Sequence, residues 1–253
     1  MTDQVAPFLV TSQARPSQLA DQAQVSQRGT RYGDAYVAPI MPWRQALADE
    51  GSYHIFHNPT NDASSTLAGH AAPVLADADV TMTKPFILMR NLLNTGKRVF
   101  LDFIEITVIT AGAAGTQACW AAQLDTGATR LSSGGTALTV VNPNGQATNA
   151  LDSTALTLLG GAPVSGAESS AVRDLGFGTL RPSIEIAGDI KVFDFVGDYG
   201  IASTIAAASV RTQVQRMPPV ALGYTDQFLL ALHGQASQNA AGVYQVRGGM
   251  WVR

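Results

Sequence analysis

Short β-strand patterns fill the chain from residue 51 to residue 253, separated by turn signals about every 8 to 15 residues. The strongest turn signals are Asn58–Asp62, Asp125–Gly127 and Asn142–Gly145, which combine Asn, Asp, Pro, Thr and Gly. No helical periodicity of about ten residues or more lies between the strand patterns, which argues against a parallel α/β sheet. The spacing therefore predicts an all-β fold, an antiparallel β-sandwich or jelly roll.

Residues 1–50 have a different composition, rich in Gln, Ala and Arg with few aliphatic runs. Such a segment buries too little apolar surface to order itself alone. We therefore expect an extended N-terminal arm at 1–50 and a β-body at 51–253, with one or two helical turns at Pro42–Glu50. The arm either docks on neighbouring subunits, which we favour, or wraps over its own body. The candidate partner-binding residues are Pro7, Phe8, Leu9, Val10, Arg15, Tyr32, Tyr36 and Trp43.

Charged residues are scarce, at 14% of the chain, against roughly 25% in average soluble domains. A surface so poor in charge suits a subunit that neighbouring copies cover. The basic residues are 3 Lys and 13 Arg; Arg is enriched at protein interfaces, and a GC-rich genome gives the same skew. The net charge is −3 and there is no dense basic run, so we expect no direct contact with nucleic acid.

Cellular context follows from three absences in the sequence. Cys119 is the single cysteine, so no intrachain disulfide can form. The N-terminus lacks the basic and apolar regions of a signal peptide, and no run of about 18 apolar residues predicts a membrane span. We therefore expect assembly in a cytoplasm and no membrane partner.

The clearest strand pattern is Arg98–Thr110. Apolar residues alternate from Val99 to Phe103 and again from Ile104 to Val108, but the two series are one residue out of step. One extra residue near Phe103–Ile104 would place both series on the same face, which predicts a β-bulge there. A strand buried on both faces is the alternative.

Two pairs of nearby residues, one of histidines and one of carboxylates, are candidates for a metal site or an active site. His54 and His57 are three residues apart on a predicted strand, so their rings point to opposite faces and cannot share a metal ion. Asp102 and Glu105 would share an outward face across the bulge, as carboxylate pairs do in glycoside hydrolysis. We expect both to be solvated instead, because no other parts of a hydrolase cleft are evident. The sequence thus predicts no metal, no cofactor and no enzymatic activity.

Another pattern concerns the segments on either side of Ala187–Asp189. Leu180–Ile186 and Ile190–Val196 are apolar runs that flank this turn, and together they predict a β-hairpin. The second run is apolar enough to be buried on both faces. Asp194 lies within it, so we expect either a basic partner for Asp194 or a solvated edge.

Four further segments of the β-body stand out: Asn58–Thr60, Leu67–Pro73, Lys97–Asp102 and Gly248–Trp251. Together they resemble virion proteins of tailed bacteriophages. The resemblance spans about residues 52 to 253, and its segments contain no chemical signature. It implies a structural role in the particle: a capsid decoration (cement) protein, a neck or tail component, or a fibre with a docking arm.

These observations together predict a virion structural protein that is assembled in the host cytoplasm. We expect a homo-oligomer, a trimer, whose arm fixes it to other virion subunits. The alternative is a carbohydrate-binding or receptor-binding module, for which Trp120, Trp251 and Tyr224 are candidates to stack on sugar rings. Trp120 and Trp251 lie in apolar strands, which favours a place in the core for both.

Overall fold

The structure is a computed structural model that describes residues 42–60, 62, 64–70, 82–93, 96–112, 117–126, 129–145, 156–184, 186–197, 212–233 and 242–253. Most of the predicted arm lies outside this part of the chain. The candidate partner-binding residues that lie outside it are Pro7, Phe8, Leu9, Val10, Arg15, Tyr32 and Tyr36. Their contacts with other subunits therefore stay predictions.

One short helix and fourteen strands make up the regular structure of the described residues. In chain order they are α1 (Trp43–Asp49), β1 (Tyr53–His57), β2 (Leu67–Ala68), β3 (Ile87–Asn91), β4 (Val99–Thr110), β5 (Gln117–Asp125), β6 (Leu131–Ala137), β7 (Thr139–Val141), β8 (Leu156–Ser165), β9 (Arg173–Ile184), β10 (Ile190–Asp194), β11 (Thr212–Arg216), β12 (Ala221–Leu222), β13 (Gln227–His233) and β14 (Val243–Val252).

The described strands form two sheets. The eight-stranded sheet has the order β11-β10-β4-β14-β1-β7, with β12 also paired to β4 and β2 to β14. The six-stranded sheet has the order β6-β8-β3-β13-β5-β9. The strand pairs of the described residues are antiparallel apart from β10 and β11, which run parallel. The predicted all-β sandwich is confirmed, while its jelly-roll topology stays a prediction.

Aromatic side chains from both sheets meet in the core. Trp120 of β5 packs edge-on against Phe193 of β10, with ring centroids 5.7 Å apart. Phe228 of β13 packs in the same way against Phe195, just after β10, at 5.5 Å. These rings belong to one buried cluster to which both sheets contribute. Burying such large apolar groups between the sheets is the main stabilising contribution to a sandwich.

The predicted bulge in β4 is present, within a residue of its expected place. Gly249 of β14 lies opposite Phe103, but the next residue, Met250, lies opposite Leu101, so Asp102 is the extra residue. The apolar residues that face the core on either side of it are Val99, Leu101, Ile104, Ile106 and Val108, all fully or almost fully buried. The bulge therefore keeps one face of a long strand apolar throughout and turns Asp102 to the outer face.

Adjacent glycines in the interior of β14 make room for aromatic rings on both faces of the eight-stranded sheet. A Cβ atom on Gly248 would lie 2.1 Å from Cζ of Phe56 and 2.6 Å from the carbonyl oxygen of Phe103. A Cβ atom on Gly249 would lie 2.1 Å from the Tyr53 hydroxyl oxygen. Only glycine allows these rings to approach the strand so closely.

The hairpin predicted across Ala187–Asp189 is wrong. β9 pairs with β5 in the six-stranded sheet, whereas β10 pairs with β4 in the eight-stranded sheet. The turn itself exists, with Gly188 at a φ of 91°. Turn residues indicate that the chain reverses, but they do not indicate which sheet it enters afterwards. β6 and β7 make a similar change of sheet around Leu138.

The compact β-body begins at Arg44, ahead of the predicted boundary between residues 50 and 51. The helix expected near Pro42–Glu50 is α1, and it buries only Leu47. Side-chain hydrogen bonds hold the end of this helix and the residues that follow it: Asn144 donates to the Asp49 carbonyl at 3.0 Å and Asn142 to that of Gly51 at 2.8 Å. Polar contacts of this kind leave little trace in the apolar pattern of a sequence.

We expect Gly248→Ala to destabilise the body by about 3 kcal/mol, because the new methyl group overlaps a backbone oxygen and a buried ring. The matched control is Gly96→Ala, whose Cβ atom has nothing within 4 Å and should change stability by less than about 0.5 kcal/mol. Urea denaturation of both variants measures the difference. Equal midpoints for the two variants would show that β14 can move away from Phe56 at little cost.

Candidate functional site

Three hydrogen-bond donors hold Asp102 on the outer face of the eight-stranded sheet. Arg44 donates from Nε and Nη2 at 2.6 and 2.7 Å, and the Tyr53 hydroxyl donates at 2.6 Å. The Asp102 side chain is fully buried. Burial, together with the neighbouring Asp102 carboxylate, raises the pKa of Tyr53 above its ordinary value. Both carboxylate oxygens are engaged, and they join α1, β1 and β4.

Glu105 is bound by a different arginine. Arg247 donates to it from Nε and Nη2 at 2.7 and 2.8 Å, in the bidentate geometry that arginine and carboxylate prefer. The prediction that Asp102 and Glu105 are solvated is therefore wrong, because both are buried and each has its own arginine. The two arginines lie 58 and 142 residues away in sequence, so local pattern reasoning could not find them.

A shallow polar basin of about 480 Å³ surrounds the Glu105–Arg247 pair. His57 and Asp62 also line it. Hydrogen bonds from Ser64, first of all from its hydroxyl, hold the pKa of Asp62 below its ordinary value. The basin thus contains a carboxylate that is already neutralised by arginine, and another that is stabilised by its own turn. This arrangement suits a structural ion pair at the edge of the basin better than a general acid–base pair.

The two histidines of β1 have separate surroundings. His54 is buried, and its Nδ1 lies 3.0 Å from the Ser52 carbonyl oxygen, whereas Nδ1 of His57 lies 2.6 Å from that of Asn58. The described residues contain no group of three or more His, Cys, Asp or Glu that could hold a metal ion. Backbone oxygens therefore account for one nitrogen of each ring.

Two further polar side chains bridge backbone groups inside the body. Asp194 is fully buried, and its Oδ1 accepts hydrogen bonds from the backbone N–H groups of Val196 and Gly197 at 3.1 and 2.8 Å. His70 lies with Nε2 3.2 and 3.0 Å from the carbonyl oxygens of Pro85 and Pro163. Burial lowers the pKa of His70. Contacts of this kind connect backbone segments of the body and are typical of residues with a structural role.

A buried arginine organises the loops over the outer face of the six-stranded sheet. Arg130 is fully buried and donates from Nη1 to Asp125 at 3.0 Å and from Nε to the Gly166 carbonyl at 3.2 Å. Its Nη2 donates to the Met82 carbonyl at 3.3 Å. Sequence reasoning missed this cluster, since Asp125 was interpreted only as a turn residue. The signal in the sequence was Arg130, five positions after Asp125, at a spacing that allows the two side chains to pair across the turn.

Beside this cluster the structure forms a cleft of about 820 Å³. Its polar floor contains Gln123 of β5 and Asp174 of β9, with Gln123 Nε2 donating to Asp174 Oδ1 at 2.8 Å. A register shift between β5 and β9 makes Leu175 the extra residue and places Asp174 opposite Gln123. Two strand pairs further, Phe177 lies opposite Ala121 and is 55% exposed.

The Gln123 side chain has one unsatisfied group. Gln123 is only 5% exposed, and its Oε1 has no hydrogen-bond partner among the described residues. A buried acceptor without a donor costs free energy, and natural structures contain few of them. Among the described residues, Arg90 Nε and Trp120 Nε1 are unsatisfied as well, but Gln123 Oε1 belongs to a residue that lines the cleft and therefore marks the cleft as a candidate binding site.

The aromatic residues suggested as sugar-stacking candidates are not grouped. Trp120 is buried in the core, as expected from its strand. Trp251 is only partly buried and stacks on Phe100, with ring centroids 5.3 Å apart and an interplanar angle of 6°. Tyr224 is 48% exposed, in the turn before β13. The core prediction is confirmed for Trp120 and is wrong for Trp251, because Trp251 points to the outer face of its sheet.

Among the candidate arm residues, Trp43 is the one that the structure describes, as the first residue of α1.

Comparison with known proteins gives no further assignment: no family model, no curated protein and no solved structure matches this chain. No helix in the described ranges is long and apolar enough to cross a membrane. An argument about function therefore has to come from the sequence and the geometry of this chain itself.

We expect Arg44→Ala to destabilise the body by about 2 to 3 kcal/mol, because it leaves the Asp102 carboxylate buried with only the Tyr53 hydroxyl. Arg44 is 35% exposed, so the loss should fall below that of a fully buried pair. Urea denaturation measures it. The double variant Arg44→Ala/Asp102→Asn should recover part of the loss, since no buried charge remains.

The matched control is Arg247→Ala, which breaks an ion pair of the same bidentate geometry. Arg247 is 65% exposed and borders the open basin, so water can solvate Glu105 after the change. We expect a loss below about 1 kcal/mol. Equal losses of stability for the two arginine variants would contradict the argument that the burial of Asp102 makes its ion pair the more important one.

Proposed function

We propose that this chain is a non-enzymatic structural subunit of a bacteriophage particle. Its β-body forms a homo-oligomer, a trimer, and its N-terminal arm fixes that oligomer to neighbouring virion subunits. The virion assignment depends on the sequence resemblance and on the composition of the arm. The assembly assignment is supported by the surface and ion pairs of the body.

The strongest support for assembly is an apolar band on the outer face of the eight-stranded sheet. Ile55 and Val141 are direct neighbours on β1 and β7, and they are 37% and 39% exposed. In the same row, Gly249 separates Ile55 from Phe103. The stacked Phe100–Trp251 pair lies on this face as well. A contiguous, partly exposed apolar surface on a chain this poor in charge suits contact with a second copy.

The ion pairs support a scaffold role. Three buried carboxylates, Asp102, Glu105 and Asp125, are each bonded to an arginine. Carboxylates that serve as acids or bases in catalysis need a free oxygen directed at substrate. Here the arginine bonds connect strands, loops and α1 instead, which favours a rigid body.

The body offers an acceptor for the arm of a subunit in a neighbouring oligomer. β6 is an edge strand of the six-stranded sheet, and six of its seven residues are exposed. An exposed edge can accept an extra strand through backbone hydrogen bonds. The apolar segment Val5–Val10 is the part of the arm with the right composition for this. The free energy gained when Val5–Val10 binds the edge strand has to exceed the entropy cost of ordering this segment.

The first test measures oligomer mass. We expect Ile55→Lys to convert the oligomer to monomers, because a charge cannot be buried in an apolar contact without a partner. The control is Val164→Lys, which changes an equally exposed valine on the other sheet, at 37%, and should leave the mass unchanged. Light scattering reads out both variants. A wild-type chain that stays monomeric at high concentration would refute the assembly proposal.

The second test separates docking from folding. A chain that lacks residues 1–41 keeps α1 and the Arg44–Asp102 pair, so we expect it to fold, to oligomerise and to be absent from purified particles. Truncation at residue 45 is a poor design, because it removes Arg44 and leaves Asp102 without its cation. Normal incorporation of the shorter truncation into particles would contradict a docking role for the arm.

A further inference from the structure

We propose that the cleft on the outer face of the six-stranded sheet is a binding site for a neutral saccharide. The recognising groups are Gln123, Asp174 and Phe177 on the paired strands β5 and β9, with Glu168 at the rim. The site is distinct from the apolar band, which lies on the other sheet. The inference therefore stands whether or not the chain is a virion subunit.

The orientation of the Gln123 amide is fixed by its neighbour. Its Nε2 donates to Asp174 Oδ1 at 2.8 Å, whereas the flipped amide would place two acceptor oxygens against each other. Oε1 is thus held as an acceptor, and it has no partner among the described residues. Because Oε1 is itself buried, a ligand hydroxyl reaches it only when the side chains beside it shift, and that donation would then satisfy a group that the fold leaves unpaired.

The remaining polar groups define the charge of the ligand. Asp174 has a second carboxylate oxygen, and the Glu168 side chain is 39% exposed with only a long contact of 3.9 Å to Arg130. Arg130 itself already donates from Nε, Nη1 and Nη2 within the fold. Among the described residues, the cleft therefore offers acceptors and carboxylates but no uncommitted guanidinium. Phosphorylated, sulfated and acidic sugars are disfavoured, and a donor-rich neutral polyol is favoured.

An aromatic surface completes the site. The Phe177 ring is 55% exposed, and its cross-strand neighbour Ala121 is small. Aromatic rings pack well against the apolar C–H face of a pyranose ring, while the hydroxyl groups at the edge of that ring reach polar side chains. Gln123 and Asp174 lie two pairs along the same strands, on the same face of the sheet as Phe177. One sugar ring can therefore contact the aromatic and polar groups together.

The size of the cleft argues against a single cationic side chain as its ligand. Its volume of about 820 Å³ is in the upper part of the range of roughly 300 to 1,000 Å³ for small-molecule sites. A lysine or arginine side chain on a partner protein would find the carboxylates but would fill only a small part of that space. A short oligosaccharide uses both the space and the acceptors.

The test is a binding screen of the full-length protein against immobilised neutral and acidic oligosaccharides, followed by calorimetry with the best soluble neutral ligand. We expect binding to a subset of the neutral glycans. Phe177→Ala and Gln123→Leu should each weaken the affinity by about tenfold, the first through lost ring packing and the second through a lost hydrogen bond. Phe177 is exposed, so its variant should fold even if the Gln123 variant does not.

Tyr224→Ala is the matched control, because Tyr224 is similarly exposed, at 48%, but does not line the cleft. Its affinity should equal that of the wild type. The proposal is overturned if no neutral glycan binds at millimolar concentration, or if the Phe177 and Tyr224 variants bind alike. The proposal is also overturned if an arginine-rich peptide binds the wild type but not Phe177→Ala, and no glycan displaces that peptide. The cleft would then be a site for a cationic partner.

Discussion

The extra residue in β4 is the constraint on which the architecture of the body depends. A strand of twelve residues cannot keep the same face apolar if its pattern slips by one position, unless a bulge absorbs the slip. Asp102 is that extra residue, and the bulge turns it to the outer face. There Arg44 and Tyr53 neutralise and bury it, which attaches α1 to the sheet. One backbone irregularity thus determines both the inner packing and the polar contact that fixes where the compact body begins.

Sequence reasoning was successful where the information is local. The slipped alternation around Phe103 predicted the bulge, and the apolar run Ile190–Val196, which contains Asp194, predicted a buried strand. It failed where the answer depends on distant residues. The arginine partners of Asp102 and Glu105 are far away along the chain, and the turn at Gly188 does not show that the next strand enters the other sheet. The cleft was missed for the same reason, because Gln123 and Asp174 meet only after β5 and β9 pair.

The two outer faces of the sandwich differ in how their polar groups are used. On the eight-stranded sheet the carboxylates are saturated by arginine, and the exposed surface between them is apolar. On the six-stranded sheet Arg130 donates its hydrogen bonds to the loops, which leaves Oε1 of Gln123 unpaired among the described residues and the exposed Asp174 carboxylate at the cleft. The first face suits contact with another protein surface of the same kind, and the second suits a small ligand rich in hydroxyl groups. This division gives a single body two separate binding surfaces.

The two proposals reinforce each other if both hold. A cleft open on one side and built from a few hydrogen bonds and one aromatic ring binds a sugar weakly, because water competes for every polar contact. An oligomer presents several identical clefts, and simultaneous engagement of a repetitive glycan can raise the overall affinity by about 10² to 10⁴ without any new contact. Because the oligomer contact and the cleft lie on opposite sheets, burying the Ile55–Val141 surface would not occupy the sugar site. The geometry of the sandwich therefore permits assembly and glycan binding at the same time.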